Sequence, residues 1–213
     1  EKLISIKKIF VNNKIAILGQ KVSIGDKIKI QQSTLVVDDL SKTHHQHLIY
    51  NKPEGEICSK NDPGGRKTTF SALPRLNNLR WISIGRLDIN TSGLLLFTTD
   101  GTIANQWMHP SNGYEREYMV RIYGKYKSNI EKSMINGINL SDGMAKFKAI
   151  TQIQDANNKK WFKVTVDEGR NRFIKRMFEH HGIKVSRLIR IRFGDIILPT
   201  DLKKGQYKIV SEL

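Results

Sequence analysis

The sequence predicts an α+β fold in two parts, a small basic β-rich module up to residue 42 and a larger domain from Leu48 to Leu213. Segments with strand character outnumber helical ones and do not alternate with them as βαβ units would. In several of them apolar residues recur at period two, as in half-buried strands. The polar stretch from Ser41 to His47 holds three of the six histidines without apolar periodicity, so it reads as a linker. A length of 213 residues suits a large domain with a small companion.

In the first part, short apolar groups are broken by turn signals at Asn12-Asn13, Gly19 and Gly25-Asp26, and Lys27-Ile28-Lys29-Ile30 alternates strictly. In the second, Leu48 to Tyr50 reads as a strand, followed by a turn at Asn51 to Gly55 and a polar loop through Asp62 to Gly65. A short helix is expected over Phe70 to Leu73, ended by Pro74. Trp81 to Ile84 and Leu94 to Thr98 follow as strands. Asp100 is placed to cap a helix from Thr102 to His109, which Pro110 stops. Glu117 to Tyr123, Trp161 to Val166 and Ile189 to Phe193 alternate as strands do, and Ile130 to Ile135 reads as helical.

Hydrophobic residues at 38% and charged residues at 26% give a globular balance, with a core large enough to need no staples. Lys plus Arg number 36 against 20 Asp plus Glu, and the resulting charge of +16 calls for a polyanionic partner. The lone Cys58 excludes an internal disulfide and suits a reducing, cytoplasmic setting. No apolar run approaches the roughly 20 residues that span a bilayer. The first residue is Glu1, with no initiator methionine, as in a chain lacking its natural start.

The densest basic region runs from Glu168 to Gly182. Phe173, Ile174, Met177, Phe178 and His181 fall on one helical face, and Arg172, Lys175 and Arg176 on another. Gly169, Arg170 and Asn171 form the loop feeding that helix, and Arg190 and Arg192 share one side of the next strand, opposite Ile189, Ile191 and Phe193. A second constellation, Gly85 to Gly101, sets one carboxylate (Asp88), one guanidinium (Arg86) and two hydroxyls in a polar loop between apolar strands. On spacing alone, Asp88 is an ordinary turn former.

The grammar of that loop resembles the RsuA/RluB-type pseudouridine synthases, in Gly85-Arg86-Leu87-Asp88, Thr91, Gly93 to Leu96 and Asp100-Gly101. Lys52-Pro53-Glu54-Gly55, Arg116-Glu117-Tyr118 and Glu168 to Arg172 with Lys175-Arg176 are similar to the family's other motifs, in the same order. Val185 to Gly194 is similar to the large-subunit ribosomal members of the B type. The resemblance covers residues 48 to 213, and residues 1 to about 40 resemble the rear half of an S4 RNA-binding module. It implies a mixed, mainly antiparallel central sheet with flanking helices. It also implies isomerisation of a uridine in ribosomal RNA, with 23S RNA or a pre-50S particle as the partner, using neither metal nor organic cofactor; a monomer is expected.

The resemblance assigns Asp88 as the catalytic aspartate, attacking C1′ or removing the 2′ proton. Burial of a lone carboxylate opposes its ionisation, so a cation must stand beside it, and the resemblance puts Lys175 there. Arg86 would hold the flipped nucleotide and Tyr118 stack on its uracil. Lys52, Arg170, Asn171, Arg172, Arg176, Arg187, Arg190 and Arg192 are expected to meet RNA, the cations at its phosphates, fixing register without choosing the base. His44, His45 and His47 lack a second ligand cluster, and Cys58 is expected to be a spectator. The alternatives are a non-catalytic RNA-binding or ribosome-assembly protein, and an RNA nuclease or glycosidase. The latter normally needs a second acid or base.

Overall fold

The computed structural model describes residues 1–39, 44–77, 79–124, 126, 130–153 and 160–213. It divides into two units, Glu1–His44 and His45–Leu213. Residues 41–43 of the expected linker lie outside the described residues, and His47 already belongs to a strand.

The first unit has a one-turn helix α1 (Lys2–Ser5) and strands β1 (Ile9–Val11), β2 (Lys14–Ile15), β3 (Lys27–Ile30) and β4 (Ser33–Val36). They form one antiparallel sheet in the order β2-β1-β3-β4. Val11 and Ala16 are its buried apolar residues, while Ile17, Leu18 and Ile24 stay exposed.

The second unit is built on a mixed sheet. Its elements are β5 (His47–Lys52), β6 (Ile82–Ile84), β7 (Ser92–Thr98), α2 (Gly101–Met108), β8 (Arg116–Tyr123), α3 (Ile130–Asn136), β9 (Ile138–Leu140), β10 (Gly143–Ala145), β11 (Ala149–Ile153), β12 (Trp161–Val166), α4 (Phe173–Glu179), β13 (Lys184–Phe193), β14 (Ile196–Ile197) and β15 (Tyr207–Val210). The strand order is β11-β12-β8-β13-β7-β5-β15, with β6 beside β7 and β14 beside β13, while β9 and β10 form a separate hairpin. Among the described residues the β7–β13 pairing is parallel and the others between named strands are antiparallel. The class is therefore α+β, with a mixed, mainly antiparallel sheet.

Both faces of the sheet are covered. Along β7, Leu95 and Phe97 join a large core with α3 and α4, while Leu94 and Leu96 face the other way, against Trp107 and Ala104 of α2. That double burial explains the unbroken apolar run, because a strand covered on both sides has no polar face. Asp100 caps α2, its carboxylate accepting from Thr102 N and Ile103 N. The expected helix at Phe70 is a single 3-10 turn, Thr69–Ala72.

Two local features set the geometry around β7. At the parallel pairing with β13, a side chain on Gly93 would lie 2.2 Å from the Arg190 carbonyl oxygen, and its φ of +101° is one that L side chains rarely adopt. In β13 the register against β8 shifts between Val185 and Arg187 and again between Arg190 and Arg192. Each shift breaks the alternation of faces.

Candidate active site

Asp88 sits in the loop joining β6 to β7 on the side of the sheet that carries α4. The loop starts at Gly85, whose φ is +76°, and turns through a hydrogen bond from Thr91 N to Asp88 O of 3.0 Å. From α4, the Lys175 Nζ donates to Asp88 Oδ2 at 2.8 Å. The two side chains are 12% and 34% exposed, so the ammonium is sheltered and the carboxylate opens outward. Among the described residues no other hydrogen bond reaches that carboxylate, which leaves Oδ1 open. Phe173, Ile174, Met177 and Phe178 bury the opposite face of α4 and fix its roll. Tyr118, 9% exposed on β8, shares the core layer with Leu87, Phe173 and Met177. Arg86 is exposed beside them.

The loop is held from behind by two inward-pointing side chains. Lys52, at the end of β5, is 0% exposed. Its ammonium donates to Pro53 O at 2.9 Å, Ile89 O at 3.3 Å and Thr91 O at 2.9 Å, tying down the chain just after Asp88. Burial pushes the Lys52 ammonium below its ordinary pKa. On the other side of Asp88, the Cys58 thiol accepts from Leu87 N and donates to Leu87 O, both at 3.4 Å. Burial pushes the Cys58 thiol up, which keeps its proton available for donation. Cys58 thus braces the loop, and Lys52 does not meet phosphate: a fully buried ammonium spent on backbone carbonyls has no reach to RNA.

Arg190 is corrected in the same way. It is 2% exposed, with Nε donating to Leu94 O at 2.8 Å. The expectation that Arg190 and Arg192 share an outward side assumed one solvated face, whereas β13 is central, covered on both sides and bulged between them. Arg192 is instead bound by Glu115, Glu117 and Gly194 O. The helical cation stripe divides as well. Arg172 and Lys175 border a cleft, Arg172 pairing with Glu179 at 2.6 Å, while Arg176 turns to Asp142 at 2.8 Å on the β9–β10 turn. Arg170 reaches Asp142 at 3.1 Å and also pairs with Glu168. Asn171 and Arg187 are exposed.

The cleft, about 610 Å³, runs between α4 and the start of β13, with Glu54 and Asn90 on its other wall. Glu54 accepts from Lys204 Nζ at 2.8 Å and Ser92 Oγ at 3.0 Å. Burial opposes its ionisation, but these donors outweigh it and hold the carboxyl down to about 2. His45 is tied to Thr99 and Asp100 at the start of α2.

A loop carboxylate, an ammonium bonded to it, a nearby aromatic and a basic cleft make a site for polynucleotide chemistry. The RNA pseudouridylate synthase family model matches residues 46–180, and the chain belongs to that family of uridine-isomerising enzymes. It is 46% identical over 207 residues to the ribosomal large subunit pseudouridine synthase B of Salmonella typhi, across 96% of this chain and 71% of that protein. The Haemophilus influenzae protein of the same name is 46% identical over 210 residues, 98% of this chain and 59% of its own. A crystal structure of a pseudouridylate synthase superposes with a TM-score of 0.71 at 28% identity, covering 98% of this chain and 87% of that one. A chain of an archaeal box H/ACA sRNP complex shares the fold alone, with a TM-score of 0.56 at 18% identity over 76% of this chain and 52% of that one.

Proposed function

We propose that this enzyme isomerises a uridine of 23S ribosomal RNA, free or in a pre-50S particle, and that Asp88 begins the reaction. The observation that carries the reading is the 2.8 Å ion pair between Lys175 and Asp88, with the second carboxylate oxygen open. The target base leaves the stack at a cost of a few kcal/mol, least where the RNA is irregular. Asp88 either attacks C1′ of the ribose or takes the 2′ proton. Both routes break the N1–C1′ bond. The uracil then turns against Tyr118 and C5 bonds to C1′ as the Asp88 ester is released or, on the other route, as the proton returns to C2′; the C5 proton is lost and N1 ends protonated. Lys175 pairs with the carboxylate at 2.8 Å and orients it, and Arg86 holds the splayed nucleotide. The rigid backing from Lys52 and Cys58 means the carboxylate needs little reorganisation when substrate arrives.

The enzyme acts as a monomer in the cytoplasm, in keeping with the single unpaired Cys58. The large-subunit RNA is favoured by the names of the relatives. The test is pseudouridine mapping of ribosomal RNA from cells with and without the protein, followed by addition of purified enzyme to unmodified 23S RNA and to pre-50S particles. One 23S uridine that loses its modification in the absence of the protein, and regains it on addition, supports the reading. An unchanged 23S map overturns the substrate assignment.

A further inference from the structure

The net charge of the chain overstates the cations available to RNA near Asp88. Arg172 is neutralised by Glu179, Lys175 by Asp88, and Glu54 by Lys204. Arg170 and Arg176 are drawn away by Asp142. Among the described residues, two cations lining the cleft have no carboxylate partner: Lys184 and Arg187, both exposed on the first half of β13.

The backbone explains why both face the cleft. β13 pairs with β7 only at Ile189 and Arg190, so residues 184–188 have β8 on one side and the cleft on the other. The register shift at Ser186 lets Val185 and Leu188 both pack toward the core, and it carries Arg187 outward. Ser186 is locked in that bulge by Arg121, accepting from its Nε at 2.9 Å and donating to its carbonyl at 3.0 Å. The result is a preformed wall with two uncompensated charges on a cleft of the size that ligands occupy.

We propose that this wall, Lys184 and Arg187 on the Ser186 bulge, is the subsite that grips the phosphates of the RNA strand flanking the flipped uridine. The inference rests on the RNA isomerase reading and adds which cations bear the strand. Because the sites are exposed, substitution to glutamine alters charge with little effect on packing.

The probe is a fluorescent oligouridylate of about ten nucleotides, titrated at several KCl concentrations. Each of Lys184→Gln and Arg187→Gln is expected to reduce the slope of log affinity against log salt by about 0.7, and the double variant by about 1.4. On unmodified 23S RNA the double variant raises KM and keeps kcat. Lys208→Gln, the same charge change on exposed β15, leaves the slope as in wild type. A wild-type slope in the double variant, or an equal loss in Lys208→Gln, overturns the proposal. Failure of the wild-type enzyme to form pseudouridine would instead overturn the isomerase reading, and the binding slopes would still be readable.

Discussion

Replacing Lys52 by methionine tests whether the loop carrying Asp88 is held from within the core. The side chain is 0% exposed and donates to three backbone carbonyls, two of them, Ile89 and Thr91, just beyond Asp88. Each buried carbonyl left without a donor costs about 1–3 kcal/mol. Part of that is offset because methionine buries no ammonium, so a net loss of about 3 kcal/mol is expected from a total of roughly 5–15. With an m-value of about 2–3 kcal/mol per M, the urea midpoint falls by about 1 M. The three tryptophans, Trp81, Trp107 and Trp161, all lie in the second unit, so their fluorescence follows that unit. Well below the midpoint the loosened loop still misplaces Asp88, and turnover falls by about 10- to 100-fold. A Lys52→Met protein with wild-type midpoint and wild-type turnover would refute the reasoning.

Gly93→Ala sets a Cβ against the Arg190 carbonyl in the parallel pairing and should destabilise by on the order of 3–5 kcal/mol, read by urea unfolding; a loss below about 1 kcal/mol would show that the strands part easily. Asp142→Asn releases the Arg176 guanidinium and one partner of Arg170, so oligouridylate binding should tighten at low salt, the slope steepening by about 0.7 per freed cation. An unchanged slope would mean that these arginines face away from the RNA path. Glu54, held at about 2 in the fold against an ordinary 4.5, contributes stability that is fully present above pH 4.5 and lost as pH falls toward 2. NMR titration of its carboxyl carbon should give a midpoint near 2; a midpoint near 4.5 would mean that the clasp with Lys204 does not persist in solution.

Period-two patterning located the strands around Tyr50, Leu94 to Thr98, Tyr118 and Trp161 because each combines alternation or an apolar run with clear turn signals. The edge and satellite strands at Gly143, Ala149 and Tyr207 escaped, since they are short or solvated on both sides and carry little hydrophobic contrast. At the site, the family resemblance of their motifs singled out Asp88 and Lys175, while spacing alone left Asp88 a turn former and the direction of the other cations illegible. Lys52 shares the face of Leu48 and Tyr50 along β5, and that alternation was the available signal that it points inward. Arg190 follows Leu188 on a core-facing side of β13, but the bulges that decide this depend on long-range pairing with β8, which no local pattern encodes. The carboxylates that occupy Arg170, Arg172, Arg176 and Arg192 likewise lie up to 77 residues away in the chain.

Turnover by Asp88→Asn on unmodified 23S RNA, measured beside its affinity for the same RNA, tests the central claim most directly. Asparagine retains an oxygen to accept from Lys175, so fold and binding should stay at wild-type level while pseudouridine formation disappears. Pseudouridine appearing at the wild-type rate in this variant would contradict the assignment of the loop carboxylate as the group that opens the glycosidic bond.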